Sequence, residues 1–177
     1  SELVRLGTSM VDWMWRRGWD PEHGGLYYFR DLRDLPVQEY WHDMKFWWPH
    51  CEAILATLYA LAATGDPRYA DWHRLVHDWA HRHFADPEHG EWFGYLHRDG
   101  RLSVTLKGNL WKGPFHLPRM QLVAWKLLED LAARDCARAA ALLGPLPGDL
   151  ELEVVAAVLA AIAHRGYGAT DHRDAQA

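Results

Sequence analysis

The chain has 177 residues, of which 49% are hydrophobic and 24% are charged, and its formal net charge at pH 7 is -5. Such a composition supplies enough apolar side chains for a folded core and argues against a disordered chain. Because the lysines and arginines are scattered through an acidic chain, we expect neither a nucleic-acid nor a membrane partner, either of which selects a clustered basic face.

The first residues show apolar side chains at helical spacing, at Leu3, Leu6, Met10 and Trp13, and this pattern predicts a helix. The chain lacks an initiator methionine, so we expect it to begin inside a longer protein. It also lacks the charged-then-apolar layout of a signal peptide and an apolar run of about 18 residues that could span a membrane.

Two segments of the chain resemble each other, namely Trp19–Asp31 and Ala85–Asp99. Both contain Asp-Pro-Glu-His-Gly followed by an aromatic run. The repeat length suits a pair of helices with one rim hairpin. The second copy continues into a predicted β-hairpin with strands at Trp92–Leu96 and Leu102–Leu106.

Between and after these two copies, apolar residues recur at helical spacing. A helix over Pro49–Ala63 is followed by a Gly-Asp-Pro turn at 65–67, in which Gly65 ends one helix and Asp66 caps the next. A third helix is predicted over Pro118–Ala133. The pattern predicts an all-α fold of helical hairpins in series, an α-barrel with its functional loops on one rim.

The amino-acid composition of the chain changes near its end. Residues 1–134 carry the helical repeats, whereas residues 135–177 are rich in alanine and contain Gly144-Pro145 and Pro147-Gly148, with one further predicted helix over Leu152–Ala163. We assign the first range to the barrel domain and treat the second as a partly helical extension of unknown function.

Several kinds of chemistry are disfavoured by the sequence. Cys51 and Cys136 are the two cysteines, which indicates neither a disulfide framework nor a thiolate metal site and fits a reducing cytoplasm. His73, His77 and His81 have a spacing that can bind a metal, but without a supporting carboxylate they are better interpreted as a solvated helix face. We predict no metal site, and we assign Cys51 to the core.

Aromatic residues and one histidine are the features that indicate a function. The chain has eleven tryptophans and seven tyrosines, many in loops where an aromatic face suits a sugar ligand. His116 lies in the run K-G-N-L-W-K-G-P-F-H-L-P-R from Lys107 to Arg119, held between apolar residues and prolines. An imidazole held in this way can exchange protons near neutral pH.

Five motifs together carry a resemblance to a known family: W-D-P-E-H-G-G-L-Y-Y-F at 19–29, K-F-W-W-P-H-C-E at 45–52, T-G-D-P-R-Y at 64–69, D-P-E-H-G-E-W-F-G-Y-L at 86–96 and K-G-P-F-H-L-P-R at 112–119. From Trp13 to Glu129 the chain resembles the C-terminal portion of the N-acylglucosamine 2-epimerase family, whose mammalian members are also called renin-binding proteins. The resemblance implies an (α/α)6 barrel, of which this chain covers roughly the C-terminal half.

The resemblance further implies the interconversion of N-acetylglucosamine and N-acetylmannosamine, with ATP or another nucleotide as a non-consumed activator in some members and a homodimer left open. Inverting C2 of a reducing sugar requires removal of the C2 proton and its return on the opposite face. Two imidazoles on opposite walls can do this with no required cofactor.

The resemblance also assigns residues to the site. His116 matches one of the two catalytic histidines, and Glu52 matches a glutamate that orients an imidazole or binds sugar hydroxyls. The substrate-binding residues carried over are Trp48 and Trp111 as aromatic platforms, and Lys45, His50 and Arg119 as hydrogen-bond donors. Trp111 stands where acylglucosamine epimerases often have Phe, which leaves the exact sugar open.

The family's other catalytic histidine lies in a Gly-His-x-x-Glu motif upstream of the match to Trp19–Phe29, and this chain does not contain that motif. We therefore expect the 177-residue chain alone to be inactive or poorly soluble, with a broad apolar face exposed.

Alternatives to the epimerase stay open. A sibling enzyme that isomerises mannose to fructose, or one that epimerises cellobiose, uses the same deprotonation. A non-catalytic carbohydrate-binding or protein-binding module would keep the aromatic rim. A glycosidase is disfavoured, because Glu22, Glu88 and Glu91 lie in the repeated turns, where turn roles explain them.

Overall fold

The computed structural model describes residues 1–143, and the side chains within residues 1–135. The helices are α1 (Glu2–Gly18), α2 (Trp47–Thr64), α3 (Pro67–Phe84) and α4 (His116–Leu143), and the two short strands are β1 (Lys45–Phe46) and β2 (Tyr95–Leu96). The chain divides into two compact units, Ser1–Leu127 and Leu128–Ala177. Of the second unit, the structure describes only the end of α4, so the helix predicted over Leu152–Ala163 lies outside the described residues.

The predicted turn between α2 and α3 is confirmed. Gly65 has a left-handed backbone with φ of 69° and ends α2, and the Asp66 side chain accepts a hydrogen bond from the Arg68 amide at the start of α3. Pro67 occupies the first turn, where no amide hydrogen is needed. Helix α4 begins at His116, two residues before the prediction, so the candidate histidine is the first residue of a helix.

The two repeat copies have the same backbone structure. The Asp20 amide donates to the Gly25 carbonyl at 2.9 Å, and the Asp86 amide donates to the Glu91 carbonyl at 3.0 Å. In each copy one carboxylate oxygen of the aspartate accepts the amides two and three positions further along. Gly25, with φ of 70°, must be glycine because a Cβ there would lie 2.9 Å from Trp79.

The predicted β-hairpin is present but shorter than expected. The His97 amide donates to the Arg101 carbonyl at 2.8 Å and the Ser103 amide donates to the Tyr95 carbonyl at 3.1 Å, on either side of the Leu96–Leu102 bridge. The other edge of β2 pairs antiparallel with β1, the strand that leads into α2. Because this pairing buries Leu96 and Phe46, it satisfies both the backbone and the apolar side chains, which a local hairpin on the surface would not.

The core lies between α2 and α3, and it is completed by the aromatic runs of the repeats and the first turns of α4. In contrast, α1 has no buried residue and exposes a row of apolar side chains: Leu3, Leu6, Met10, Trp13 and Met14. The exposed apolar face expected from the sequence is therefore present on α1. Among the described residues, no helix combines the length and apolarity required to cross a membrane.

Candidate active site

A cavity of about 810 Å³ lies beside the first turns of α2 and α4. Its lining is dominated by aromatic side chains and contains one histidine: Tyr28, Glu39, Trp41, Met44, Phe46, Trp47, Trp48, Tyr95, Ser103, Val104, Asn109, Trp111 and His116. A volume of this size accommodates a small organic ligand such as a monosaccharide. The aromatic faces suit the C–H faces of a sugar, as the loop aromatics of the sequence indicated.

His116, Glu52 and Arg119 form one hydrogen-bonded group at the wall of this cavity. His116 Nδ1 lies 2.8 Å from Glu52 Oε1, and Arg119 Nη2 contacts both carboxylate oxygens of Glu52. Burial disfavours the charged carboxylate, but the hydrogen bonds from Arg119 and His116 outweigh it and hold the pKa of Glu52 below its usual value. An ionised Glu52 therefore faces Nδ1, which leaves Nε2 of His116 for the cavity.

Two neighbouring indoles hold the His116 ring in place. The centroid of Trp48 lies 5.9 Å from that of the imidazole in a tilted arrangement, and the centroid of Trp47 lies 6.2 Å away nearly edge-on. Trp47 and Trp48 begin α2, and Glu52 follows one turn later. The first two turns of α2 thus supply the aromatic wall and the carboxylate.

Trp111 is carried by the loop before α4. Its side chain is 80% exposed, and its backbone amide donates to Asn109 Oδ1 at 2.8 Å. The Asn109 side chain is also bonded to the hydroxyl of Tyr95. The structure thus brings Trp48, Trp111 and His116 to one cavity, with Glu52 and Arg119 directly behind the histidine.

The second repeat copy anchors that loop through two lysines. Lys107 Nζ lies 2.5 Å from Asp86 Oδ2, and Lys112 Nζ lies 2.9 Å from Glu91 Oε1. Lys112 is buried and also donates to the Lys107 carbonyl. The aspartate of the repeat therefore combines its turn role with an ion pair to the segment that leads into α4.

The structure contradicts the predicted role of Lys45 in substrate binding. It was predicted to donate to the sugar, but its side chain is fully buried away from the cavity lining, and its Nζ lies 3.0 Å from Asp20 Oδ2. Burial lowers the pKa of Lys45 to about 8, although Asp20 partly opposes this shift. Lys45 thus neutralises Asp20 inside the fold, a role shared with Arg98, whose Nε lies 2.8 Å from the same carboxylate oxygen.

The structure also contradicts the predicted role of His50 in substrate binding. It is fully buried, its Nε2 accepts the Leu26 amide at 2.9 Å, and its Nδ1 lies 2.7 Å from the Phe46 carbonyl. Its ring stacks on Trp79. Burial lowers the pKa of His50 to about 3, so the ring is neutral and both nitrogens are engaged. His50 therefore tethers the first repeat copy to α2 and is not placed to bind a sugar.

The remaining titratable residues singled out in the sequence have structural contacts. Cys51 is buried in the core, as predicted, and burial raises the pKa of its thiol to about 12. His73 lies partly buried between α2 and α3, with Nδ1 near the Ile54 carbonyl, and His81 Nδ1 lies 2.9 Å from the His77 carbonyl. Within residues 1–135, no group of three or more potential ligands is arranged to hold a metal ion.

Sequence reasoning missed part of the cavity lining. Glu39 and Trp41 come from a loop that has no periodicity and no motif of its own. Tyr28 and Tyr95 had a usable signal, because they occupy the aromatic runs of the two repeat copies. Ser103 lies in the predicted hairpin and Asn109 in the run before His116, but neither pattern indicates that these side chains face a cavity, since chain packing brings them there.

Comparison with known proteins gives a consistent result. The family model described as N-acylglucosamine 2-epimerase (GlcNAc 2-epimerase) matches residues 2–116. N-acylglucosamine 2-epimerase of Bos taurus is 48% identical over 118 residues, which are 66% of this chain and 28% of the bovine protein. That of Rattus norvegicus is 45% identical over 131 residues, which are 73% of this chain and 29% of the rat protein. The chain thus spans less than a third of the length of these relatives.

A solved structure supports the fold. The crystal structure of a D-mannose isomerase superposes with a TM-score of 0.62 over 72% of this chain and 31% of that protein, at 17% sequence identity. Such structural neighbours are (α/α)6 barrels, so the helices described above form part of a barrel of that type. This likeness concerns the fold alone.

Proposed function

The chain belongs to the N-acylglucosamine 2-epimerase family, and we propose that it carries one wall of the active site of an enzyme that interconverts N-acetylglucosamine and N-acetylmannosamine. The observation that carries the proposal is the 2.8 Å contact between His116 Nδ1 and Glu52 Oε1 at the edge of an aromatic cavity. A carboxylate that fixes one ring nitrogen leaves the other to exchange a proton with a ligand.

The proposed mechanism begins with the open-chain sugar in the cavity, one face against Trp48 or Trp111. Nε2 of neutral His116 removes the C2 proton, and the electrons of the C2–H bond pass into an enediolate with the C1 oxygen. Ionised Glu52 stabilises the imidazolium that forms, and Arg119 keeps Glu52 ionised and in place. Return of a proton to the opposite face of C2 completes the inversion.

That return requires a second acid on the opposite face. In the part of the chain that the structure describes, His116 is the only imidazole in the cavity lining. The second histidine that the family resemblance implies would come from outside these 177 residues. The proposed activity therefore belongs to a whole barrel, and this chain contributes the wall that holds His116.

The test is a chimera in which residues 1–134 of this chain replace the matched segment of the bovine relative. With N-acetylmannosamine in deuterated water, the chimera should form N-acetylglucosamine and incorporate deuterium at C2. The 177-residue chain alone should do neither. A chimera that folds, as judged by circular dichroism, but leaves C2 unlabelled would sink the proposal, and labelling by the chain alone would overturn the two-histidine mechanism.

The same experiment separates the sibling reactions. An isomerase returns the proton to C1 and gives a ketose, so product identification distinguishes it from an epimerase. A non-catalytic module would bind sugar without labelling C2. Activation by ATP, a homodimer and a cytoplasmic location in amino-sugar metabolism are further parts of this proposal, and addition of ATP to the active chimera tests the first of them.

A further inference from the structure

Glu39 is the one acidic side chain in the cavity lining, and the described lining contains no lysine or arginine. Within residues 1–135, the Glu39 side chain has neither a hydrogen bond nor an ion pair to another residue. A partly buried carboxylate without a protein partner, facing an aromatic cavity, imposes a negative potential on any ligand there.

Glu39 lies on a segment that is fixed by backbone hydrogen bonds. Its carbonyl accepts the His42 amide at 3.1 Å, and the chain that follows is bonded to the aromatic run of the first repeat copy, with the Phe29 amide donating to the His42 carbonyl at 2.8 Å. The carboxylate therefore belongs to a turn at the border of the cavity whose backbone is fixed by these hydrogen bonds.

Three cations carried by elements near the cavity do not compensate this charge, because each of the three is already paired. Arg119 is bound to Glu52, Lys112 to Glu91, and Lys45 to Asp20. A phosphate or a carboxylate on a ligand would therefore meet Glu39 without an available counterion from these residues.

We propose that Glu39 is a specificity-determining residue that excludes anionic sugars from the cavity and admits neutral ones. This inference rests on the proposed function only in taking a sugar as the ligand, and it is independent of the proton chemistry at C2. The chemical class admitted is the unphosphorylated hexosamine, and the class rejected is the hexosamine phosphate.

The test measures the affinity of the full chain for N-acetylglucosamine and for N-acetylglucosamine 6-phosphate by tryptophan fluorescence, since four indoles line the cavity. The wild-type chain should bind the neutral sugar about tenfold more tightly, and Glu39→Gln should remove most of this ratio by improving binding of the phosphate. Higher salt should reduce the wild-type ratio in the same direction.

Glu88→Gln is the matched control, because Glu88 is exposed outside the cavity and the substitution changes the net charge equally. It should leave the ratio unchanged. Equal binding of the two sugars by the wild-type chain, an unchanged ratio in Glu39→Gln, or the same change in Glu88→Gln would each overturn the assignment. Failure of both sugars to bind would overturn the inference together with the sugar ligand, whereas binding with the expected ratio but no C2 labelling in the chimera would sink only the epimerase mechanism.

Discussion

Asp20 and Lys45 are 25 positions apart in the sequence and form an ion pair in which both side chains are fully buried, with Nζ 3.0 Å from Oδ2. Arg98, from the turn after β2, bonds the same carboxylate. Three segments of the rim therefore meet at one aspartate of the first repeat copy. The hydrogen bonds outweigh the cost of burial and keep the pKa of Asp20 well below its usual value.

Replacing Lys45 with methionine should destabilise the fold by about 3 kcal/mol, because Asp20 would lose a buried partner while its charge stays buried. Urea denaturation followed by circular dichroism measures the change. Arg5→Met, which removes a largely exposed pair with Glu2, is the control and should leave the midpoint unchanged. Equal midpoints for the wild type and the Lys45 variant would contradict the structural role of this lysine.

The buried histidines predict how stability depends on pH. Burial lowers the pKa of His50 to about 3 and that of His73 to about 4 in the folded chain, whereas both titrate near 6.5 when unfolded. Between these values the unfolded chain binds more protons, so stability falls as the pH decreases below about 6.5.

His50→Gln should flatten this pH dependence. Between pH 6.5 and 4.5, each buried histidine contributes at most about 1.4 kcal/mol of lost stability per pH unit, and the variant should lose one such contribution. Denaturation midpoints measured across this range provide the comparison. A variant whose stability falls as steeply as that of the wild type would show that His50 is not a buried neutral group.

Glu52→Gln should lower the turnover of the active chimera by about 100-fold, because a neutral amide cannot stabilise the His116 imidazolium or hold Arg119 by charge. The rate of C2 deuterium incorporation across pH gives the readout, and its pH profile should change with the variant. Glu88→Gln serves as the control. An unaltered rate for Glu52→Gln would remove this carboxylate from the mechanism.

Trp111→Ala should weaken sugar binding by about three- to tenfold, because it removes the ring proposed as a stacking face for the sugar, and should affect stability little because the side chain is largely exposed. Trp125 on α4 is also exposed but lies outside the cavity lining, so Trp125→Ala is the matched control. Equilibrium binding of N-acetylglucosamine measures both variants. If the two variants bind equally to the wild type, Trp111 is not a platform.

Much of the helical structure follows from local chemistry. The end of α2 at Gly65 and the start of α3 after Asp66 each depend on one residue's backbone or side chain, so the sequence predicts them directly. The hairpin after Trp92 is shorter than predicted for the opposite reason, because its first strand pairs with β1, some 50 positions earlier in the chain.

The residues of the site were likewise predicted only in part. The motifs and the resemblance placed His116, Glu52, Arg119, Trp48 and Trp111 among the candidates, and these five lie in or directly behind the cavity wall. Their roles in the reaction stay predictions. Lys45 and His50 belong to the same motif as Glu52, but their side chains are buried in the core and do not reach the cavity. A linear motif does not show which of its side chains are buried and which face a ligand.

The helices, the repeat and the family could be predicted from the sequence, because capping residues, periodicity and motif spacing act over short distances along the chain. The folded structure was needed to show which polar side chains face the cavity and which neutralise one another inside the fold. That choice depends on burial and on partners far apart in sequence, as for Asp20 with Lys45 and Glu52 with His116. It also revealed Glu39, since its position at the cavity depends on packing rather than on any local pattern.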